Sequence, residues 1–150
     1  MSSSFSFPSK PVASTFFAEH GLMDVTKWEV VPVAPFQKFK LVIERVTDLR
    51  PQGLWLRSDE GVEIEGKRQE QAVLIFHDAP HEMEFVCYSA DGFLQLYNVW
   101  EDGKQRRSQM RMSGMKREPI KGGHRYHCTD TGPDFDFDRF VFSLTTDIAD

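Results

Sequence analysis

Apolar side chains take every second position between Lys38 and Val46: Phe39, Leu41 and Ile43 fall on one face, and Lys38, Lys40 and Glu44, with Val42, on the other. A period of two marks a strand with one dry face and one wet face. The stretch HEMEFVCYS repeats the pattern, turning Met83, Phe85 and Cys87 inward and Glu82 and Glu84 outward. QAVLIFH (residues 71–77) is apolar on both faces, which predicts a central strand. WEVVPV carries Pro32 and predicts an edge strand, because proline brings no donor to a ladder. GLWLRSDEGVEIEG predicts two short strands about a turn at Ser58–Gly61, and FLQLYNVW a strand after the turn Ala90-Asp91-Gly92. The Asp-Gly of EDGK is a hairpin signal, with the returning strand carrying Met110 and Met112 on one face and a bulge at Gly114 returning Met115 to it. GGHRYHC and FDRFVFSLTT complete the strands. Only STFFAEHG reads as a short helix, with Ser14 as N-cap, Gly21 after its end, and Phe16, Phe17 and Leu22 pinning it to the body.

Strand signals spaced by roughly 8–12 residues, without a long helical period, predict an all-β, single-domain antiparallel fold. It is either a β-sandwich, jelly-roll or immunoglobulin-like, or a small barrel, of about nine strands with a short N-terminal helix or loop. Residues 1–13, rich in Ser and Pro, read as a flexible N-terminal segment, and residues 14–150 as one β domain. A load of Phe 13, Trp 3 and Tyr 3 supports the β assignment, since aromatic residues suit a pleated, half-buried surface.

The net charge of −5 opposes general binding to nucleic acid. Arg106, Arg107, Arg111, Lys116 and Arg117 cluster locally and read as a solvated strand face. No apolar run approaches the ~20 residues that cross a bilayer, and no secretory leader is visible, so the chain reads as cytoplasmic and not membrane-bound. Cys87 and Cys128 belong to no C-x-x-C pair and read as buried free thiols.

Two stretches carry candidate metal chemistry. In PDFDFDRFVF, Asp134, Asp136 and Asp138 alternate with Phe135 and Phe137, and beyond Asp138 the apolar parity slips to Phe140 and Phe142. A straight strand spaces such carboxylates ~6.6–6.8 Å apart, too far to share one calcium ion. A loop opening at Gly132-Pro133 brings them closer. The spacing is not that of an EF-hand, because Arg139 and Thr145 stand where Gly and Glu are needed. A calcium loop and a solvated, Arg-balanced entry to the last strand, with a bulge, remain the two readings. In HDAPH, His77 and His81 flank three residues, and a hairpin there sets them face to face for a transition metal. Loop-mouth surface histidines are the plain alternative. His124 and His127 fall on opposite strand faces, so at most one joins such a site.

Tyr97, Asn98, Trp100 and Arg106 offer a surface for a saccharide or a partner protein, in which flat rings stack and polar groups orient. The alternatives are that Tyr97 and Trp100 belong to the core, or that the aromatic and Met surface joins two copies of the chain. No nucleophile elbow, P-loop or dinucleotide fingerprint is present. The chain therefore reads first as a binding or interaction module, with a cation-binding acidic loop as an option. A small metal-dependent, cupin-like barrel enzyme using His77 and His81 is the second reading, though the cupin H-x-H signature is missing. A lipocalin-like carrier, with Met110, Met112 and Phe93 lining its cavity, is the third.

Overall fold

The computed structural model describes residues 7–131 and 134–146. They form eleven strands and one helix: β1 (Val12–Ala13), α1 (Thr15–Glu19), β2 (Val25–Pro32), β3 (Phe36–Val46), β4 (Gln52–Ile64), β5 (Lys67–Phe76), β6 (His81–Tyr88), β7 (Phe93–Asp102), β8 (Gln105–Ser108), β9 (Gly114–Ile120), β10 (Gly123–Thr129) and β11 (Phe140–Thr145). All pairings are antiparallel. Eight strands close into a barrel in the order β2-β9-β10-β11-β3-β6-β4-β7, and the β2–β7 pairing completes the ring. β1, β5 and β8 are added outside it, on β2, β4 and β7.

The period-two pattern does what it predicts in β3 and β6. Phe39, Leu41 and Ile43 are buried, as are Phe85 and Cys87, with Met83 packed partly against them. Leu54, Leu56, Leu94, Leu96, Phe140 and Phe142 fill the same interior. In a barrel of eight strands such side chains pack together across the lumen. Met110 and Met112 lie beyond β8, on the segment leading to β9, with Met110 exposed, and do not line the barrel.

Four strand assignments are corrected. GLWLRSDEGVEIEG is one strand, β4, bent at 58–61 where its register shifts. The bend is held by Asp59, whose carboxylate accepts from the backbone N–H groups of Ala90 and Asp91, each at 3.0 Å. QAVLIFH belongs to β5, which pairs with β4 alone and flanks the ring instead of occupying its centre. β2 is no edge: it pairs with β1, β9 and β7, and Pro32 is tolerated because it ends the strand, after which Val33 N–H resumes bonding to Gly92. Val12 and Ala13, placed in the N-terminal segment ahead of the β domain, form β1 and pair with Trp28 and Thr26 of β2. Residues 1–6 of that segment, 147–150 of the β domain and the expected loop start at Gly132-Pro133 lie outside the described residues.

The barrel's two ends differ. One end gathers Asp130, Gln52, Asn98 and Trp100, all buried, at the ends of β10, β4 and β7. Asp130 accepts from Arg50 Nη1 at 2.7 Å and Gln52 Nε2 at 2.9 Å, and lies 3.3 Å from Arg139 Nε. α1 sits at this end. Ser14 caps it as expected, accepting from Phe17 N–H at 3.2 Å, and Gly21 follows with φ +86°. Phe17 is buried against Phe135 and Phe137, with ring centroids 5.1 and 5.2 Å away. The other end, where β2, β10 and β11 present Pro32, Gly123 and Thr146, opens to solvent through a cavity of about 250 Å³.

Candidate functional site

On the outer face of the barrel, β4 and β7 set Trp55 directly opposite Tyr97. Opposed residues of an antiparallel pair sit on the same face and close together, and the two rings stack at 4.5 Å with 13° between their planes. Trp28 of β2 joins them, 5.1 Å from Trp55 and 5.0 Å from Tyr97. The chain lays its own Phe7 on this trio. The Phe7 ring lies 6.2 Å from Trp28 and 6.3 Å from Trp55, and the Arg57 guanidinium stands 3.7 Å from the Phe7 ring centre. Gln95 Nε2 donates to the Pro8 carbonyl at 3.0 Å.

The polar frame of this seat is pre-set. Arg57 donates to Gln95 Oε1 at 2.9 Å and Glu70 Oε2 at 3.2 Å, which orients both Arg57 and Gln95. Trp55 Nε1 donates to Gln71 at 2.8 Å. Burial pushes the Tyr97 hydroxyl above its ordinary range. Among the described residues, Trp28 Nε1 and Arg57 Nε are buried without a hydrogen-bond acceptor. Such donors carry a desolvation cost that an incoming carbonyl relieves. Beside the trio runs a cleft of about 460 Å³, lined by Phe7, Pro8, Arg57, Asp91, Phe93 and Gln95. Rings, a cation over an aromatic and a donor to a main-chain carbonyl together suit an extended aromatic-proline peptide.

The four residues singled out in LYNVWEDGKQRR do not form one surface. Tyr97 is on the outer face, whereas Asn98 (2% exposed) and Trp100 (1%) point into the barrel. Alternation along β7 forces this split. Asn98 donates to the Thr129 carbonyl at 3.0 Å, and Arg106 is exposed on β8 opposite Glu101. Trp28, Arg57, Gln95 and Phe7 were not singled out. The outward parity of Trp55 and Tyr97 was readable, but only ring closure brings Trp28 beside them. The basic cluster is dispersed as well. Arg107 reaches Asp102, Arg111 lies over Phe16, Lys116 over Phe137, and Arg117 pairs with Glu29.

Asp134, Asp136 and Asp138 lie on the turn before β11, not on a straight strand. Their oxygens are committed separately. Asp134 accepts from Arg139 at 2.8 Å, Asp136 from Asp138 N–H at 2.9 Å, and Asp138 lies 3.3 Å from His127 Nδ1. Arg139 holds the Asp134 carboxyl below its usual range. Phe135, at φ +50°, and Phe137 turn toward α1, which is what the parity slip accommodates. His77 and His81 are exposed at the connection between β5 and β6, where His81 lies 5.3 Å from the Phe76 ring. Among the described residues, no group of three His, Cys, Asp or Glu is placed to hold a metal ion. No such group of three therefore contains Asp134, Asp136 and Asp138, or His77 with His81. His124 and His127 do fall on opposite faces, with His127 outside between Glu118 and Asp138.

Cys87 and Cys128 are both buried free thiols. Burial pushes Cys87 up to about 11 and Cys128 well above its ordinary value, so neither is a thiolate nucleophile near neutrality. No protein-family model and no curated protein matches the chain.

Proposed function

We propose that the protein is an interaction module whose outer face, made of Trp28, Trp55 and Tyr97, takes an extended segment carrying an aromatic residue followed by proline. The observation that supports this reading is the seat already occupied by Phe7-Pro8. An aromatic ring is sandwiched under Arg57 and the following carbonyl is read by Gln95. The chain's own segment then acts as an internal competitor. A tethered ligand has an effective concentration in the millimolar range, so a partner must displace it or the segment must leave first. Two buried free thiols suit a reducing compartment, and we place the protein in the cytoplasm on that ground.

The test uses the peptide FPSKP, the sequence of residues 7–11, added to the intact chain and to Phe7→Ala. Fluorescence reports on Trp28 and Trp55, while Trp100 is enclosed in the barrel and stays constant. Saturable binding to Phe7→Ala is expected, at least about tenfold tighter than to the intact chain, and lost again on adding Tyr97→Ala. Peptide that leaves the fluorescence of Phe7→Ala unchanged sinks the reading. If the segment seats in a second copy, the intact chain elutes as a dimer and Phe7→Ala as a monomer.

A further inference from the structure

We propose that the open end of the barrel is a second, separate site, which binds a small uncharged hydroxy-aromatic molecule of the phenol class. Its ring packs into the mouth and its hydroxyl bonds to His124. The cavity of about 250 Å³ is walled by Val31, Phe39, Tyr126 and Leu144, with His124 in its lining. An apolar cavity of ~150 Å³ already holds benzene, so this one admits a ring with a substituent.

Charge decides the class of ligand. Behind the wall lies Glu29, 1% exposed. Its Oε2 accepts from the Tyr126 hydroxyl at 2.6 Å and from Arg117 Nη1 at 3.3 Å, and its Oε1 from Val30 N–H at 3.1 Å. The buried carboxylate is thus bonded and its charge balanced by Arg117, and among the described residues that line the cavity none is a free anion or cation for a charged ligand. The Tyr126 hydroxyl is spent on Glu29, so its ring offers only a face, stacked 4.9 Å from Phe142.

His124 is different. It is half-buried, and among the described residues neither of its ring nitrogens has a hydrogen-bond partner. Desolvation, and then the positive charge of Arg117, keep it below its ordinary 6.5 against the opposing pull of Glu29. A neutral imidazole presents one donor and one acceptor. A hydroxyl can give to one ring nitrogen or take from the other, whereas a carboxylate can only take and brings a charge that the described lining does not balance.

The experiment is a ¹H–¹⁵N titration of the full chain with 4-methylphenol, toluene and 4-methylbenzoate in parallel. Saturable shifts are expected at Val31, Phe39, Gly123 and Leu144, with 4-methylphenol binding more tightly than either companion. His124→Phe is expected to weaken 4-methylphenol about tenfold, the worth of one neutral hydrogen bond, and to leave toluene within about twofold. Leu144→Trp fills the mouth and should abolish all three. If its spectrum shows it unfolded, Val31→Phe takes its place. The proposal is overturned by the absence of saturable shifts, by shifts confined to Trp28 and Trp55, by tighter binding of 4-methylbenzoate, or by 4-methylphenol binding that ignores both His124→Phe and the filled mouth. The outer-face peptide site is read at other residues, so failure of either site leaves the other standing.

Discussion

The two ends of this barrel solve the same problem in opposite ways. Each must finish a ring of strands whose last backbone groups and side chains meet water. At the Asp130 end the chain builds a lid. A buried carboxylate collects Arg50, Gln52 and Arg139, and α1 brings Phe17 down onto Phe135 and Phe137. At the other end, among the described residues, the turn at Gly122 and the ends of β2 and β11 stand over Val31, Phe39, Tyr126 and Leu144. One end is closed by ion pairs and hydrogen bonds around a buried carboxylate, and the other, among the described residues, is lined by apolar side chains with the His124 imidazole beside them. The first end concentrates buried ion pairs, and the second leaves an apolar cavity open to solvent.

That contrast breaks first at Asp130. Asp130→Ala removes the acceptor of Arg50 and of the buried Gln52 amide, and leaves Arg139, whose side chain is 9% exposed, with Asp134 as its remaining ion-pair partner. Removing one partner of a buried pair costs about 3–5 kcal/mol. Urea unfolding should show that loss, and a loss under ~1 kcal/mol means the lid is ornamental. A smaller effect, about 1–3 kcal/mol, is expected from Gly123→Ala at the mouth. There an added Cβ lands 2.0 Å from the Leu144 carbonyl oxygen, which is backbone and cannot swing aside. β10 and β11 must part locally. Hydrogen exchange should speed up at Thr146, whose N–H bonds Gly122, while amides near Asp130 keep their protection. Equal acceleration at both ends would show that the ends are not independent.

How much of this was legible in the sequence follows the range of each interaction. Phe39, Leu41, Ile43, Phe85 and Cys87 were placed inside by alternation alone, because one strand's own pattern decides its dry face. Ser14 and its helix were readable for the same reason, a local cap. β5 was misplaced because apolarity on both faces does not say whether the second cover is a strand or something else. The bend in β4 looked like a turn because Ser58–Gly61 is turn chemistry, and what keeps the strand continuous is Asp59 gripping the distant Ala90-Asp91 backbone. The aromatic trio on the outer face was half visible. Tyr97 was named, yet its partners Trp28, Arg57 and Phe7 arrive from three other segments. The mouth was not legible at all, since Glu29, Arg117, His124 and Tyr126 meet only when β2, β9 and β10 close the ring.

The smallest expected effect separates the two ends by pH. His124 is a base held below its ordinary 6.5, by desolvation and then Arg117, with Glu29 and the Tyr126 ring also facing it. As pH falls below 6.5 the unfolded chain takes up the proton before the folded one does. The mouth's contribution is therefore complete above 6.5 and declines as pH drops toward the folded-state value. Asp134 at the lid is an acid held below its ordinary 3.8 by Arg139, so its contribution is present above 3.8 and is lost only as pH falls further. Stability followed by denaturant from neutral to acid pH should decline in two windows, and His124→Phe should remove the upper one alone. In the same samples the His124 ring proton should titrate below 6.5, and addition of 4-methylphenol should lower its midpoint further, because the ligand needs the neutral ring. A midpoint that the ligand leaves in place would detach His124 from the mouth's chemistry and reduce the open end to an unfinished edge of the barrel.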